Sequence, residues 1–241
     1  MQKRLLCLVL FGFSTTARTA DLIAYAEESA PYHFTQNGQV VGIAADFLRA
    51  ACNKAALSCE LHILPWARAY ALGTSTPDTI IYSTVRRPER EAQLLWLSPI
   101  MNESLWLYGG EAAPAVHDLR TLAGKHVGVI NGSSSVARLT AAGLPEQSIE
   151  LANSKESNFR KFAAGRIDYI VETEARFDYL QRQIALPFKP AKALRLGDAT
   201  SYYAMNLRSD PAKVRALRSA LDDLHADQTL ARITQSYQVR P

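Results

Sequence analysis

The segment that decides the fold reads IIYSTVRRPER at residues 80–90, and WLSP follows at residues 96–99. Its apolar first part is rich in β-branched residues and predicts a buried strand. The polar second part contains Pro88, which favours the first position of a helical turn. Three arginines therefore lie where a strand ends and a helix begins, which is where α/β sheets usually bind ligands. An arginine can hold a carboxylate there through two hydrogen bonds, although a solvent-exposed helix start is the alternative.

Strand and helix patterns alternate on both sides of this segment. The predicted strands are residues 22–26, 61–64, 79–83, 127–130, 167–171 and 202–207. The predicted helices are residues 44–55, 66–72, 136–142, 159–165 and a final one capped by Asp210 and Pro211. This alternation is typical of parallel βαβ units. Composition changes near Gly109 and near Gly197 indicate two crossings between lobes.

The first twenty residues have the layout of a cleaved secretory signal. A basic start precedes an apolar run at residues 5–13, which is too short to span a membrane, and a small polar segment follows. Cleavage after Ala17 and cleavage after Ala20 both stay open. Without residues 1–20 the chain has 24 basic and 23 acidic residues, and this near balance argues against a nucleic-acid partner.

Two cysteines remain after that removal, Cys52 and Cys59. In an exported protein a close pair suggests a disulfide, and two buried thiols are the alternative. The five histidines are scattered along the chain, and none has a metal-ligand spacing with the cysteines. We therefore expect neither a metal nor a cofactor.

Several motifs together resemble the extracellular solute-binding proteins of family 3, the periplasmic receptors for polar amino acids in ABC uptake systems. They are PYHF at 31–34, GIAAD at 42–46, PWAR at 65–68, RRPER at 86–90, WLSP at 96–99, KHVGV at 125–129, GSS at 132–134 and GRID at 165–168. The cysteine spacing also resembles the disulfide of several basic amino-acid receptors in that family.

The resemblance implies a type II periplasmic binding fold, in which two α/β lobes are joined by two crossing strands with the ligand between them. Residues 1–20 would be the signal, 21–108 and 198–241 the first lobe, and 109–197 the second. It also implies a periplasmic monomer that binds a small molecule and docks on an inner-membrane ABC permease.

The resemblance further assigns roles to individual residues. Arg90 would grip the ligand's carboxylate, and Ser134 would complete that site at a helix start, where free N–H groups favour anions. Ser83 would lie near the backbone that receives the ligand's amino group. Trp66 and Tyr32 would cover the ligand's side chain, with core packing as the alternative role for each.

Two residues depart from the family pattern. Arg87 replaces a threonine and is itself a candidate ligand-binding residue. Thr173 stands where an aspartate usually binds the ligand's ammonium group. Thr173 is flanked by Glu172 and Glu174, and either glutamate could take over if the strand end shifts. Glu27 is a further possible acid, and a ligand without an ammonium group is the remaining alternative.

Two other functions compete with binding for transport. The same fold carries cyclohexadienyl-dehydratase-like enzymes, but the sequence has no Ser-His-Asp arrangement, zinc motif or phosphate loop, so no catalytic residue is expected. A solute sensor that works without a transporter is the other alternative.

Overall fold

The computed structural model describes residues 20–110 and 113–238. The strands are β1 (Leu22–Ala26), β2 (Phe34–Gln36), β3 (Gln39–Val41), β4 (Cys59–Ile63), β5 (Thr79–Val85), β6 (Leu94–Gly109), β7 (Val127–Ile130), β8 (Ile149–Ala152), β9 (Tyr169–Thr173) and β10 (Ala191–Asn206). The helices are α1 (Ile43–Lys54), α2 (Trp66–Ser75), α3 (Pro88–Glu91), α4 (Ser134–Ala141), α5 (Lys155–Ala163), α6 (Glu174–Gln183), α7 (Pro211–Ala226) and α8 (Thr229–Gln238).

Eight of the strands form one mixed sheet in the order β4-β1-β5-β10-β6-β9-β7-β8, and β2 pairs separately with β3. The antiparallel strands β6 and β10 are 16 residues long and run through its centre. On one side β1 is parallel to β4 and β5, and on the other β7 is parallel to β8 and β9. We call β1, β4 and β5 with α1, α2, α3, α7 and α8 the first half. The second half is β7, β8 and β9 with α4, α5 and α6.

Each half buries its own hydrophobic core. In the first half, the alternation of β1 places Leu22 and Ala24 against Phe47 of α1 and Leu221 of α7. In the second half, Phe159 and Phe177 pack together beneath the sheet. A fully buried side chain of this size contributes about 1.5–3 kcal/mol. The central strands thus join two separately packed units, as the predicted two-lobed α/β fold requires.

The disulfide predicted from the cysteine pair is present. Cys52 lies near the end of α1 and Cys59 begins β4, and their Cα atoms are 6.1 Å apart. The bond therefore ties α1 to the edge strand of the sheet.

The structure corrects several predicted boundaries. Helices α4 and α5 begin earlier than predicted, because Ser133 and Ser154 are N-cap residues and the polar first turns lie outside the apolar pattern. The predicted crossing at 194–200 and the strand at 202–207 are parts of one strand, β10. The β2–β3 hairpin, β8 and α6 were not predicted, and the helix begun by Pro211 is followed by α8.

Residues 1–19 of the predicted signal at 1–20 lie outside the described part of the chain. Within the described part, none of the helices combines the length and the apolar character needed to cross a membrane.

Candidate ligand-binding cleft

A cavity of about 130 Å³ lies between the two halves, with β6 and β10 along one side. Six of the eight residues predicted to bind the ligand line it, namely Glu27, Tyr32, Trp66, Ser83, Arg90 and Ser134. Arg87 and Glu172 do not line it. The structure therefore brings together side chains that are up to 107 positions apart in the sequence, from both halves of the molecule.

Arg90 is a buried cation without a carboxylate partner among the described residues. It belongs to α3, directly after β5, where Pro88 occupies the first helical position as predicted. Its side chain is 7% exposed, and its guanidinium lies 5.3 Å from the ring centre of Trp66 and 5.0 Å from that of Tyr70. Burial, together with the nearby Arg87, lowers its pKa. Since an unpaired buried charge is costly, Arg90 is poised to receive an anion.

The segment before Arg90 is distorted at Ser83. This residue has a φ of 58°, a backbone angle that residues other than glycine rarely adopt. Tyr82 and Ser83 together face the single residue Tyr203 of β10, so the strand has a β-bulge here. Strained backbone of this kind is concentrated at binding sites, and Ser83 lines the cavity.

The start of α4 forms the wall opposite the arginine. Ser133 is the N-cap, but its Oγ makes no capping hydrogen bond and is buried without a partner. Ser134 begins the helix, and the first-turn N–H groups have no acceptor within the helix. A methyl group placed on Gly132 would lie 3.9 Å from Trp66 Cδ1, so this turn approaches the first half closely. The wall therefore offers N–H groups and a free hydroxyl to a ligand.

Two further cations line the cavity, and both are paired. Lys155 Nζ lies 2.6 Å from Glu27 Oε1, across the boundary between the halves. Burial raises the pKa of Glu27, but the ion pair with Lys155 outweighs this, so the net shift is downward. Arg176 Nη1 donates to Glu172 Oε2 at 2.8 Å, and its Nε donates to Ser29 Oγ at 3.1 Å.

These pairs explain why Glu172 lies away from the cavity. Its carboxylate is 1% exposed and is bound by Arg176. Glu174 begins α6 and pairs with Lys192, and Arg87 pairs with Glu89 at the surface. At the strand end it is Thr173 that lines the cavity, and its hydroxyl is buried.

Glu103 is a lining acid that the sequence analysis missed. It lies in the middle of β6, where the Tyr32 hydroxyl donates a hydrogen bond to its Oε1. Burial raises the pKa of Glu103, although the positive charge of Arg176 acts in the opposite direction. A lone carboxylate inside a long, largely apolar strand is a local inconsistency, and such inconsistencies mark functional positions. That signal could have identified Glu103.

His33, also missed, closes the cavity beside Glu27. Its Nδ1 lies 2.5 Å from the Glu27 backbone oxygen, and its Nε2 has no partner. Burial and the Lys155 charge lower the pKa of His33 to about 3, so the ring is neutral at neutral pH. Among the described residues there is no group of three or more potential metal ligands.

Comparisons with known proteins agree with this architecture. The model of the bacterial extracellular solute-binding proteins, family 3, matches residues 22–240. A protein of Escherichia coli (strain K12), whose name assigns it to arginine binding and to an ABC transporter, is 28% identical over 143 residues. That match covers 56% of each chain, so this chain aligns with little more than half of that relative.

Solved structures share the fold at low sequence identity. A histidine kinase sensor domain with similarity to periplasmic binding proteins has a TM-score of 0.81 at 18% identity, covering 90% of this chain and 95% of its own. An ancestral arginine-binding protein bound to arginine has a TM-score of 0.77 at 19% identity, and the GluR0 ligand-binding core with L-glutamate has 0.78 at 15%. Both matches cover 92% of this chain and 99% of theirs. With the family model spanning nearly the whole chain, this protein belongs to the bacterial extracellular solute-binding proteins, family 3.

Proposed function

We propose that this protein captures a small carboxylated solute, an amino acid, in the periplasm and delivers it to an inner-membrane ABC permease. The observation that carries the proposal is Arg90, a buried cation that lines the cavity and has no carboxylate partner among the described residues. A ligand carboxylate would supply the missing counter-charge through two parallel hydrogen bonds. The relative named for arginine binding supports an amino acid as the ligand.

The proposed mechanism is closure of the two halves around the solute. Arg90 comes from the first half and Ser134 from the second, so one carboxylate can contact both at once. A ligand that contacts both halves binds the closed arrangement more tightly than the open one and shifts the population toward it. We propose residues 21–108 and 198–241 as one moving lobe and 109–197 as the other, acting in a monomer.

A periplasmic sensor is the second candidate function. The histidine kinase sensor domain with a TM-score of 0.81 shows that this fold is also found in a signalling protein. Binding of the purified protein to its membrane partner separates the two functions. Ligand-stimulated ATP hydrolysis by a reconstituted permease complex supports transport, and stimulated phosphorylation of a kinase supports sensing.

The proposed binding function can be tested by thermal unfolding of the protein lacking residues 1–20. The ligand-free protein is scanned against amino acids, polyamines and simple carboxylates. A ligand at about 100 times its Kd stabilises by about 2.7 kcal/mol, and each kcal/mol raises Tm by roughly 2–4 °C for a chain of this size. We expect a rise of several degrees with a carboxylated compound. A response confined to polyamines would contradict the proposal, and a changing ligand mass during incubation would indicate an enzyme.

A further inference from the structure

The charged side chains that line the cavity leave one cation and one anion without an opposite partner. Glu27 pairs with Lys155, and Arg176 pairs with Glu172. Arg90 and Glu103 make no ion pair with any described residue. A ligand that satisfies both must carry a negative and a positive group.

We propose that Glu103 accepts the ammonium group of the ligand, so that the solute is an α-amino acid and not a carboxylate without an amine. This inference rests on the proposed function, because it assumes that the ligand carboxylate binds Arg90. It adds a specificity-determining residue that lies on a central strand, outside all of the sequence-predicted positions.

The sheet places the two groups at a suitable separation. Arg90 Nη1 approaches the Val85 carbonyl of β5 at 3.3 Å, and Val85 faces Ser201 of β10. Two residues before Ser201, Ala199 faces Glu103 of β6. Neighbouring strands are about 4.8 Å apart and rise about 3.4 Å per residue, so Glu103 lies roughly 9.6 Å across the sheet from Val85 and about 7 Å further along it. Small side chains at Ala199 and Ser201 leave the space between the two charges open for a compact zwitterion.

Hydrogen-bonding capacity around Glu103 matches an ammonium group. Tyr32 donates to Oε1. Thr173 lies on β9, next to β6, and its buried hydroxyl is within hydrogen-bonding reach of the Glu103 carboxylate. An ammonium group has three N–H donors, and the Glu103 carboxylate and the Thr173 oxygen each have lone pairs that can accept one of them. Thr173 and Tyr32 are both uncharged, so the negative charge of Glu103 still has no cationic partner.

Electrostatic effects also favour a ligand ammonium group beside Glu103. Arg176 is a cation whose charge acts on Glu103, but it is held by Glu172 and Ser29 and makes no ion pair with Glu103. Burial raises the pKa of Glu103 despite the Arg176 field. A ligand ammonium in the cavity would reverse that shift, because a nearby positive charge favours the ionised carboxylate.

The test compares Glu103→Gln with Glu174→Gln as a matched control, since Glu174 is paired with Lys192 away from the cavity. Calorimetry uses the amino acid that gives the largest rise in Tm and its analogue with hydrogen in place of the α-amino group, such as propanoate for alanine. We expect Glu103→Gln to weaken amino-acid binding on the order of 10- to 100-fold, the size of one charged hydrogen bond. Its affinity for the analogue and both affinities of the control should match those of the wild type.

Several outcomes would overturn the inference. One is wild-type affinity for the analogue equal to that for the amino acid, a comparison that needs no variant to fold. Another is an unchanged amino-acid affinity in Glu103→Gln. If Glu103→Gln does not fold, Thr173→Val replaces it, with a several-fold loss expected for the amino acid only. If these tests fail while Arg90→Ala still loses binding, carboxylate capture stands and only the ammonium assignment falls.

Discussion

The cavity has two kinds of cationic wall, and they differ in how their charge is balanced. In the second half, Lys155 and Arg176 each contact a carboxylate at 2.6–2.8 Å. In the first half, Arg90 lies next to two aromatic rings and makes only long hydrogen bonds of 3.3–3.4 Å. Because burying an unpaired charge costs several kcal/mol, the charges of Lys155 and Arg176 are balanced within the protein, and the Lys155–Glu27 pair also links the two halves. The unpaired Arg90 is left for the ligand.

The largest effect should follow from removing the unpaired cation. We expect Arg90→Ala to weaken binding of the carboxylated ligand by about 100-fold or more, because two charge-assisted hydrogen bonds of about 1.5–3 kcal/mol each are lost. Calorimetry measures the loss. The free energy of unfolding should be unchanged or higher, since Arg90 makes no short hydrogen bond in the unliganded protein and the variant no longer buries an unpaired charge.

Arg86 provides the matched control for this prediction. It lies four residues earlier, directly after β5, but is exposed and paired with Glu91 at 2.7 Å. Arg86→Ala should bind with wild-type affinity. If both variants bind normally, Arg90 does not hold the carboxylate. The difference in charge pairing between the two walls would then not determine where the ligand binds.

A smaller effect should follow from unbalancing the paired wall. Glu27→Gln leaves Lys155 as an unpaired cation that is 12% exposed and lies at the boundary between the halves. This disfavours the closed arrangement by about 1–2 kcal/mol, less than for a fully buried pair. Because affinity falls with the closed population, we expect roughly 10-fold weaker binding. Small-angle scattering should show a larger radius of gyration for the ligand-free variant.

The double variant Glu27→Gln, Lys155→Met distinguishes fastening from ligand contact. Replacing both partners leaves no unpaired charge, so most of the lost affinity should return. If the double variant binds as weakly as the single one or more weakly, the pair contacts the ligand directly, and the two walls do not differ in role. Lys192→Gln, which breaks an exposed pair between β10 and α6, should leave affinity and scattering unchanged.

Parts of the site could be predicted from sequence where a few neighbouring residues determine them, and could not where the partners are far apart in the chain. Arg90 and Ser134 lie at a strand end and a helix start, and the local pattern around each is visible in a few residues. Lys155 bonds Glu27 across 128 positions, and Tyr32 bonds Glu103 across 71. The local sequence does not show which residues pair, although the lysine in the first turn of α5 and the lone carboxylate in β6 are each locally unfavourable.

Secondary-structure elements were likewise predictable only where the local sequence pattern is strong. Strands β1 and β7 were predicted at the residues where they occur, because alternation or a short apolar run marks them. Helix α6 was missed because only Phe177 and Leu180 of its ten residues are buried, too few for a helical period to stand out. Polar residues in its first turn are bound by residues of other elements, including one from the first half, and the local sequence does not show these contacts.

The smallest predicted effect compares two serines that begin neighbouring helices. Ser154 Oγ accepts a hydrogen bond from the Ser157 N–H at 3.1 Å and caps α5, whereas Ser133 Oγ before α4 is buried and free. Ser154→Ala should therefore lower the free energy of unfolding by about 1 kcal/mol and leave affinity unchanged. Ser133→Ala should reduce affinity a few-fold, the size of one neutral hydrogen bond. Its stability should be unchanged or higher, because an unsatisfied buried hydroxyl is removed. Urea unfolding and calorimetry on both variants measure the two quantities. A loss of stability in Ser133→Ala without a loss of affinity would mean that this hydroxyl serves the helix and not the ligand, and that the α4 wall binds through backbone N–H groups alone.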